Sequence, residues 1–360
     1  MISRARRLAA VAIGGALLWL PALTGIAHAA PSKVYAVPLA KTAADVKRVA
    51  EYWKPDRLKL ADKYTPATPG ASGRNGSAAA GTGAPTSVAS VSKTLAAQSV
   101  AAVAPRTGTA QTMGKVFFRF GDKEYWCSGS AVAAKNRSVV ATAGHCAYDA
   151  RQTRAADYWI FVPNPGPHGE TPEGIYVGAS ISMHEDWVGK GDYDYDYAFV
   201  TVHRGFTWTA KDGDYVMTDA GRLQDNVGGL GIELNKKPGT YTVAPFGYPA
   251  GAQPNGRTPF NGRTLAKCPA GPTHFREAPT RDVQKGVELR PCDFSAGASG
   301  GPWVIGYDDT RRLGLLNGVV SLTWRNPAGY YESVSSPYFD TVTGEVYRRA
   351  AGLTTPSKVT

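Results

Sequence analysis

The chain has 360 residues, 43% of them hydrophobic and 19% charged, with a formal charge of +11. Its basic residues are scattered rather than gathered in a run, which argues for a solvated basic exterior and against a nucleic-acid or anionic-surface binder. No Cys-x-x-Cys pair occurs among the four cysteines, which argues against zinc.

Residues 1–29 read as an export signal. Arg4, Arg6 and Arg7 precede an apolar stretch at 9–23, and Ala27-His28-Ala29 supplies a small-x-small cleavage pattern. The apolar run is short for a membrane anchor, and no other stretch approaches a span, so an exported, soluble product is expected. Losing the signal's three arginines, with no acids, leaves +8. In an oxidising compartment, Cys127, Cys146, Cys268 and Cys292 favour two disulfides. Three pairings are possible. Cys127–Cys146 with Cys268–Cys292 is favoured, because each bridge then stays within one half of the chain. Each closed loop contributes roughly 3 kcal/mol in the chain-entropy picture.

Residues 30–110 read as a pro-region or linker. Thr42-Ala43-Ala44-Asp45 can cap a helix, along which Val46, Val49, Ala50 and Trp53 recur at helical spacing until Pro55. Residues 66–110 are rich in Ala, Gly, Ser, Thr and Pro and cannot bury a core. From 111 the pattern is strand-like. Runs at 115–120, 125–132, 138–143, 158–162, 175–183 and 197–203 are separated by Gly, Pro, Asn and Asp. A charged break at 210–214 divides them from runs at 239–248, 287–290, 303–305, 313–322 and 331–335. Short strands with regular turn signals predict an all-β sandwich or barrel. The expected division is 111–209, 210–353 and a tail at 354–360.

Three stretches carry chemistry. Phe294-Ser295-Ala296-Gly297-Ala298-Ser299-Gly300-Gly301-Pro302 places a serine in a tight glycine-rich turn, where a nucleophile and backbone N–H groups can meet at one spot. Thr142-Ala143-Gly144-His145-Cys146 offers a histidine after an apolar run. Asp196-Tyr197-Ala198-Phe199-Val200 offers an aspartate where an apolar strand begins. Asp192 and Asp194 share its strand parity, but Asp196 alone abuts the apolar run.

With Cys127-Ser128-Gly129-Ser130-Ala131-Val132 and Gly318-Val319-Val320-Ser321, these stretches resemble the trypsin-like, chymotrypsin-fold serine peptidases, in the family's order of His, Asp and Ser. The resemblance implies two antiparallel six-stranded β-barrels with the site in the cleft between them. It implies Ser299 as nucleophile, His145 as general base and acid, and Asp196 as the group that orients the histidine. The N–H groups of Gly297 and Ser299 would form the oxyanion hole. Ser321 would support Asp196 and precede a substrate-pairing strand with Leu322 and Thr323. Asp293, six residues before Ser299, would favour a basic residue at the cleaved bond, although Cys292 departs from the family's usual pocket cysteine position.

Ala298 stands where animal digestive members carry an aspartate that pairs with a freed amino terminus. The chain therefore looks more like bacterial secreted members, including the glutamyl-endopeptidase-like branch. Glutamyl preference itself finds no support, because no pocket histidine is visible. Other hydrolase orders fail. No histidine follows Ser299, as an α/β-hydrolase requires, and Asp122, which a subtilisin order would need, sits in a turn. His184 lacks a second metal-binding histidine at 188 and reads as structural; His168, His203 and His274 read as surface or packing residues. Asn75-Gly76-Ser77 and Asn136-Arg137-Ser138 match the glycosylation pattern, which a bacterial source would make irrelevant. The expectation is a secreted, monomeric serine endopeptidase acting on protein or peptide, with no cofactor, no metal, no nucleic acid and no membrane partner. The rivals are a non-catalytic binding or adhesion protein and an esterase on the same fold.

Overall fold

A computed structural model describes residues 34–60, 64–66 and 98–355. The expected export signal, the Asn75 sequon and most of the Ala/Gly-rich stretch lie outside the described residues. Within them no helix is long and apolar enough to cross a membrane.

The first half closes into a six-stranded antiparallel barrel. Its ring runs Met113–Phe120, Lys123–Val132, Val139–Thr142, Ala198–Val202, Tyr176–His184 and Asp157–Pro163, and returns to Met113–Phe120. Alternation along the strands explains the sequence. Val116, Phe118, Val140, Phe161, Tyr176 and Val200 fill the interior. Phe117, Ile160, Val162, Ile175 and Val177 point outward, yet they are buried too. They are covered by the amino-terminal segment, so both faces of these strands are apolar and the alternation is lost from the sequence.

That segment is the helix anticipated from Thr42. It spans Ala43–Tyr52, with Asp45 completing a capping box. Trp53 and Ala50 are fully buried against Phe117 and Ile160, and the Trp53 indole N–H donates to the Tyr158 carbonyl at 2.6 Å. Ahead of the helix, Val34–Pro38 adds an antiparallel strand beside Tyr176–His184.

The second half forms a ten-stranded sheet. Six of its strands run in the order Tyr331–Ser336, Val283–Leu289, Gly271–Ala278, Thr242–Gly247, Pro302–Asp308 and Leu313–Val319. The ends of this path meet where the Val319 N–H donates to Ser336 Oγ at 3.0 Å and the Ser321 N–H donates to the Ser335 carbonyl at 2.9 Å. An interlayer of Val139, Ala141, Phe199, Phe246, Val304 and Leu316 joins the two halves.

Three features differ from the sequence reading. The charged break at 210–214 is the turn of a hairpin, Gly205–Lys211 with Asp214–Gly221, in which Asp212 and Gly213 take φ of +50° and +84°. The anticipated divide at 209/210 therefore falls inside a hairpin. The Gly271–Ala278 strand has no counterpart among the expected runs, because only Thr273 and Ala278 are buried and Phe275 is exposed, so no alternation of apolar and polar residues marks it. The C-terminal helix Thr341–Gly352, expected with the second barrel, packs on the first: Thr201 Oγ1 and Asn136 Nδ2 donate to the Ala350 carbonyl, and Tyr347 OH donates to the Ala133 carbonyl. The Asn136 side chain of the second sequon is thus engaged in the fold.

Candidate active site

His145 sits on a single 3-10 turn, Gly144–Cys146, at the end of the buried Val139–Thr142 strand. Two constraints fix this turn. Cys146 is bridged to Cys127 on the neighbouring strand. Gly144 lies against Trp187 so closely that a Cβ would stand 2.9 Å from the indole. The second bridge joins Cys268 and Cys292, so the favoured pairing is the one present.

Asp196 follows the 3-10 turn Tyr193–Tyr195 and is fully buried. Its carboxylate accepts the His145 backbone N–H at 2.8 Å and faces His145 Nδ1 at 2.9 and 3.1 Å. Ser321 Oγ donates to its second oxygen at 2.6 Å. A buried carboxylate with this many donors is held in one orientation. Next to it, burial and then the Asp196 charge push the Tyr193 phenol up to about 12. Asp192 is raised to about 6, chiefly by burial, and Asp194 is raised by burial as well.

Ser299 is 4% exposed. Its turn is tied to the first barrel: the Ser128 N–H donates to the Ser299 carbonyl and Ser128 Oγ donates to the Gly297 carbonyl, both at 2.8 Å. Gly300 lies against Thr142 and Ala143, leaving no room for a Cβ. The serine turn therefore rests on the peptide that leads into His145. Nε2 of His145 is buried and has no hydrogen-bond partner among the described residues, so the bond to Ser299 Oγ is not formed here. Such contacts are often long without substrate and tighten when it binds.

The turn's backbone donors divide cleanly. Ala298 N–H goes to the Ser295 carbonyl, Gly300 N–H to Val320 and Gly301 N–H to Ala298. Gly297 and Ser299 N–H have no acceptor among the described residues. Gly297 has φ of +99°, and a Cβ there would stand 2.4 Å from the Trp126 ring, so glycine is required on two counts.

The remaining anticipated residues are placed less tightly. Asp293 is exposed, and its carbonyl accepts from Gln253 Nε2. Thr323 Oγ1 donates to the Phe294 carbonyl at 3.1 Å, which links the strand after Ser321 to the loop before Ser299. Leu322 is buried with Ala278 and Val283. His184 is structural, as expected: it accepts the Asp186 N–H and stacks on Tyr195 at 3.9 Å. Cys127, His145 and Cys146 come close enough to suggest a metal, but both sulfurs are spent in the disulfide. From sequence, Ser128 is only one member of a motif. Its role as a bridge between the halves has no sequence signal beyond its place after Cys127.

Comparison with known proteins identifies the family and the fold. The family described as trypsin matches residues 103–339. A thermostable serine protease, AL20, from an extremophilic microorganism is 28% identical, with 67% of this chain and 97% of that one covered and a TM-score of 0.54. Protease Anisep from Arthrobacter nicotinovorans is 29% identical, with 70% and 100% covered and a TM-score of 0.54. No curated protein matches. A family match over more than half of the chain, on a fold shared with solved proteases, establishes that the chain belongs to the trypsin family and is a serine endopeptidase with the chymotrypsin fold.

Proposed function

We propose that this endopeptidase is exported and cleaves peptide bonds through an acyl-enzyme, with His145, Asp196 and Ser299 as its triad. The observation that carries the proposal is the buried Asp196 carboxylate, bonded to the His145 ring and backbone and to Ser321 Oγ. With the proton held on Nδ1, Nε2 is the basic nitrogen. Ser299 Oγ adds to the scissile carbonyl carbon and its proton passes to Nε2. The oxyanion that forms is bound by the free N–H groups of Gly297 and Ser299. Collapse breaks the C–N bond, and the Nε2 proton leaves on the amine. Water then repeats the sequence on the ester and releases the acid.

Substrate would lie along Ser321, Leu322 and Thr323, with Asp293 at the edge of the pocket. Residues 1–29 act as the export signal and 30–110 as the pro-region. Residues 111–209 and 210–353 form the two barrels, exchanging the hairpin and the C-terminal helix across their divide, and 354–360 are a tail. The enzyme works as a monomer and needs no cofactor.

A serine-directed phosphonate tests the proposal. Stoichiometric labelling at Ser299, absent in Ser299→Ala, supports it. Failure to label the folded, matured protein points instead to a binding protein on the same scaffold.

A further inference from the structure

The run Asp192-Tyr193-Asp194-Tyr195-Asp196 presents three carboxylates at alternate positions, and the chemistry uses only the last. Asp194 is nevertheless buried, at 3% exposure. Its carboxylate does not stay within the first barrel. It accepts the Gln284 N–H at 3.1 and 3.0 Å and the Lys285 N–H at 3.0 Å, both at the start of the Val283–Leu289 strand, ninety positions away in the second half. The Asp194 N–H is in turn held by Asp192 Oδ1 at 2.9 Å. Lys285 reinforces the contact from the other side. Its Nζ lies 4.7 Å from the centre of the Tyr195 ring and 3.0 Å from Asp340, the cap of the C-terminal helix.

From this geometry we infer that Asp194 is a positioning residue for catalysis: its carboxylate clasps the turn that bears Asp196 to the second barrel. The inference rests on the triad reading above. The triad is split between two halves, with His145 and Asp196 on one and Ser299 on the other. Any rocking of the halves changes the distance between base and nucleophile. Asp196 has one link of its own across the divide, through Ser321 Oγ. Asp194 adds two backbone donors a single residue-pair upstream, on an element too short to bend between them. Charge-assisted bonds to backbone N–H groups suit this purpose, because both partners are fixed.

The role depends on reach more than on charge. Oδ1 accepts both N–H groups while Oδ2 takes only that of Gln284, so Asp194→Asn can keep both partners through an amide oxygen placed at Oδ1. Asp194→Glu keeps the charge but is one methylene too long, and must push the turn away from the strand. Asp194→Ala removes the clasp. A misplacement of about 1 Å costs on the order of 10²-fold in rate.

The test measures kcat and KM on a peptide substrate, with phosphonate labelling of Ser299, for the matured wild type and the three variants. The expected result is a kcat about 10²-fold lower in Asp194→Ala and about tenfold lower in Asp194→Glu, on the same misplacement scale. KM should stay within about threefold, and Asp194→Asn should recover most of the rate. Lys285→Met keeps the backbone donor but loses the side-chain contacts to Tyr195 and Asp340, so it should lower the melting temperature and lower kcat less than Asp194→Ala does. If Asp194→Ala does not fold, Asp194→Glu decides. A folded Glu variant with wild-type kcat overturns the inference, as does an Asn variant no better than Ala or Glu. If the wild type is not labelled at Ser299, the triad reading itself has failed. If it is labelled and the variants turn over normally, only the clasp has failed.

Discussion

At the scale of single residues, Asp196 shows how much a buried carboxylate can organise. It is inaccessible to water and meets the His145 ring, the His145 backbone and Ser321 Oγ at once. Replacing it by asparagine puts an N–H donor where an acceptor is needed, and the imidazole must turn over its tautomer. In the trypsin family this exchange is known to lower kcat by about 10⁴ while leaving the geometry intact. Asp196→Asn should do the same, checked by steady-state rates beside a melting curve. Asp192, four residues upstream, is set by its burial. Burial, and then the neighbouring Asp282, Asp194 and Asp186 charges, raise it from 3.8 to about 6, although the Asp194 N–H opposes the shift. The folded chain therefore holds this proton more tightly than the unfolded one. Below about pH 4 both states are protonated and nothing is lost. Stability falls as the pH rises toward 6, and above that the full cost is present. Asp192→Asn, which cannot ionise but still offers an oxygen to the Asp194 N–H, should be more stable than wild type at pH 7. The gain should vanish by pH 4, as read by denaturant titration at the two values.

At the scale of elements, the amino-terminal helix is the clearest case of packing outweighing propensity. Ala43–Tyr52 is short, and residues 34–60 have little core of their own, yet Val46, Val49, Ala50, Trp53 and Leu58 all bury against the barrel's outer face. Trp53→Ala should cost about 3–5 kcal/mol in the full chain, measured by denaturant unfolding, with kcat little changed because the helix supplies no site residue. An unaltered midpoint would show that the segment adds nothing to stability. The same packing explains what sequence can and cannot give. The helix is legible from Thr42, Asp45 and Pro55, and the barrel strands from β-rich runs between turn residues. The triad candidates are legible because each sits in a short local motif. The Gly271–Ala278 strand is not, since its large apolar residue Phe275 is exposed and its buried positions carry only Thr273 and Ala278, which leaves no alternation to read. Nor is the C-terminal helix, whose Thr341, Val342, Thr343 and Gly344 are weak helix formers held by the Asp340 cap and by burial of Val346 and Ala350. Asp194 reads from sequence only as a rival to Asp196, because its partners lie ninety positions away and no local pattern announces them.

At the scale of the whole molecule, the two halves are not independent. The chain leaves the second barrel at Ser336 and returns to the first through the C-terminal helix. There Tyr347 and Ala350 bond to Ala133, Asn136 and Thr201, while the Asp340 cap pairs with Lys285 of the second barrel. Phe339, Val346 and Ala350 complete the interlayer between the halves. This strap should make unfolding cooperative, because neither half can open without exposing the shared apolar layer. Ending the chain at Asp340 removes the helix but leaves every proposed catalytic residue in place. Calorimetry of that truncated chain should resolve two transitions where the complete chain shows one. The truncated chain should also lose about 10²-fold in kcat, since His145 and Ser299 are carried by halves that no longer hold a fixed separation. A single transition at the original temperature with full activity would mean that the Ser128, Ser321 and Asp194 bonds hold the barrels together without the strap.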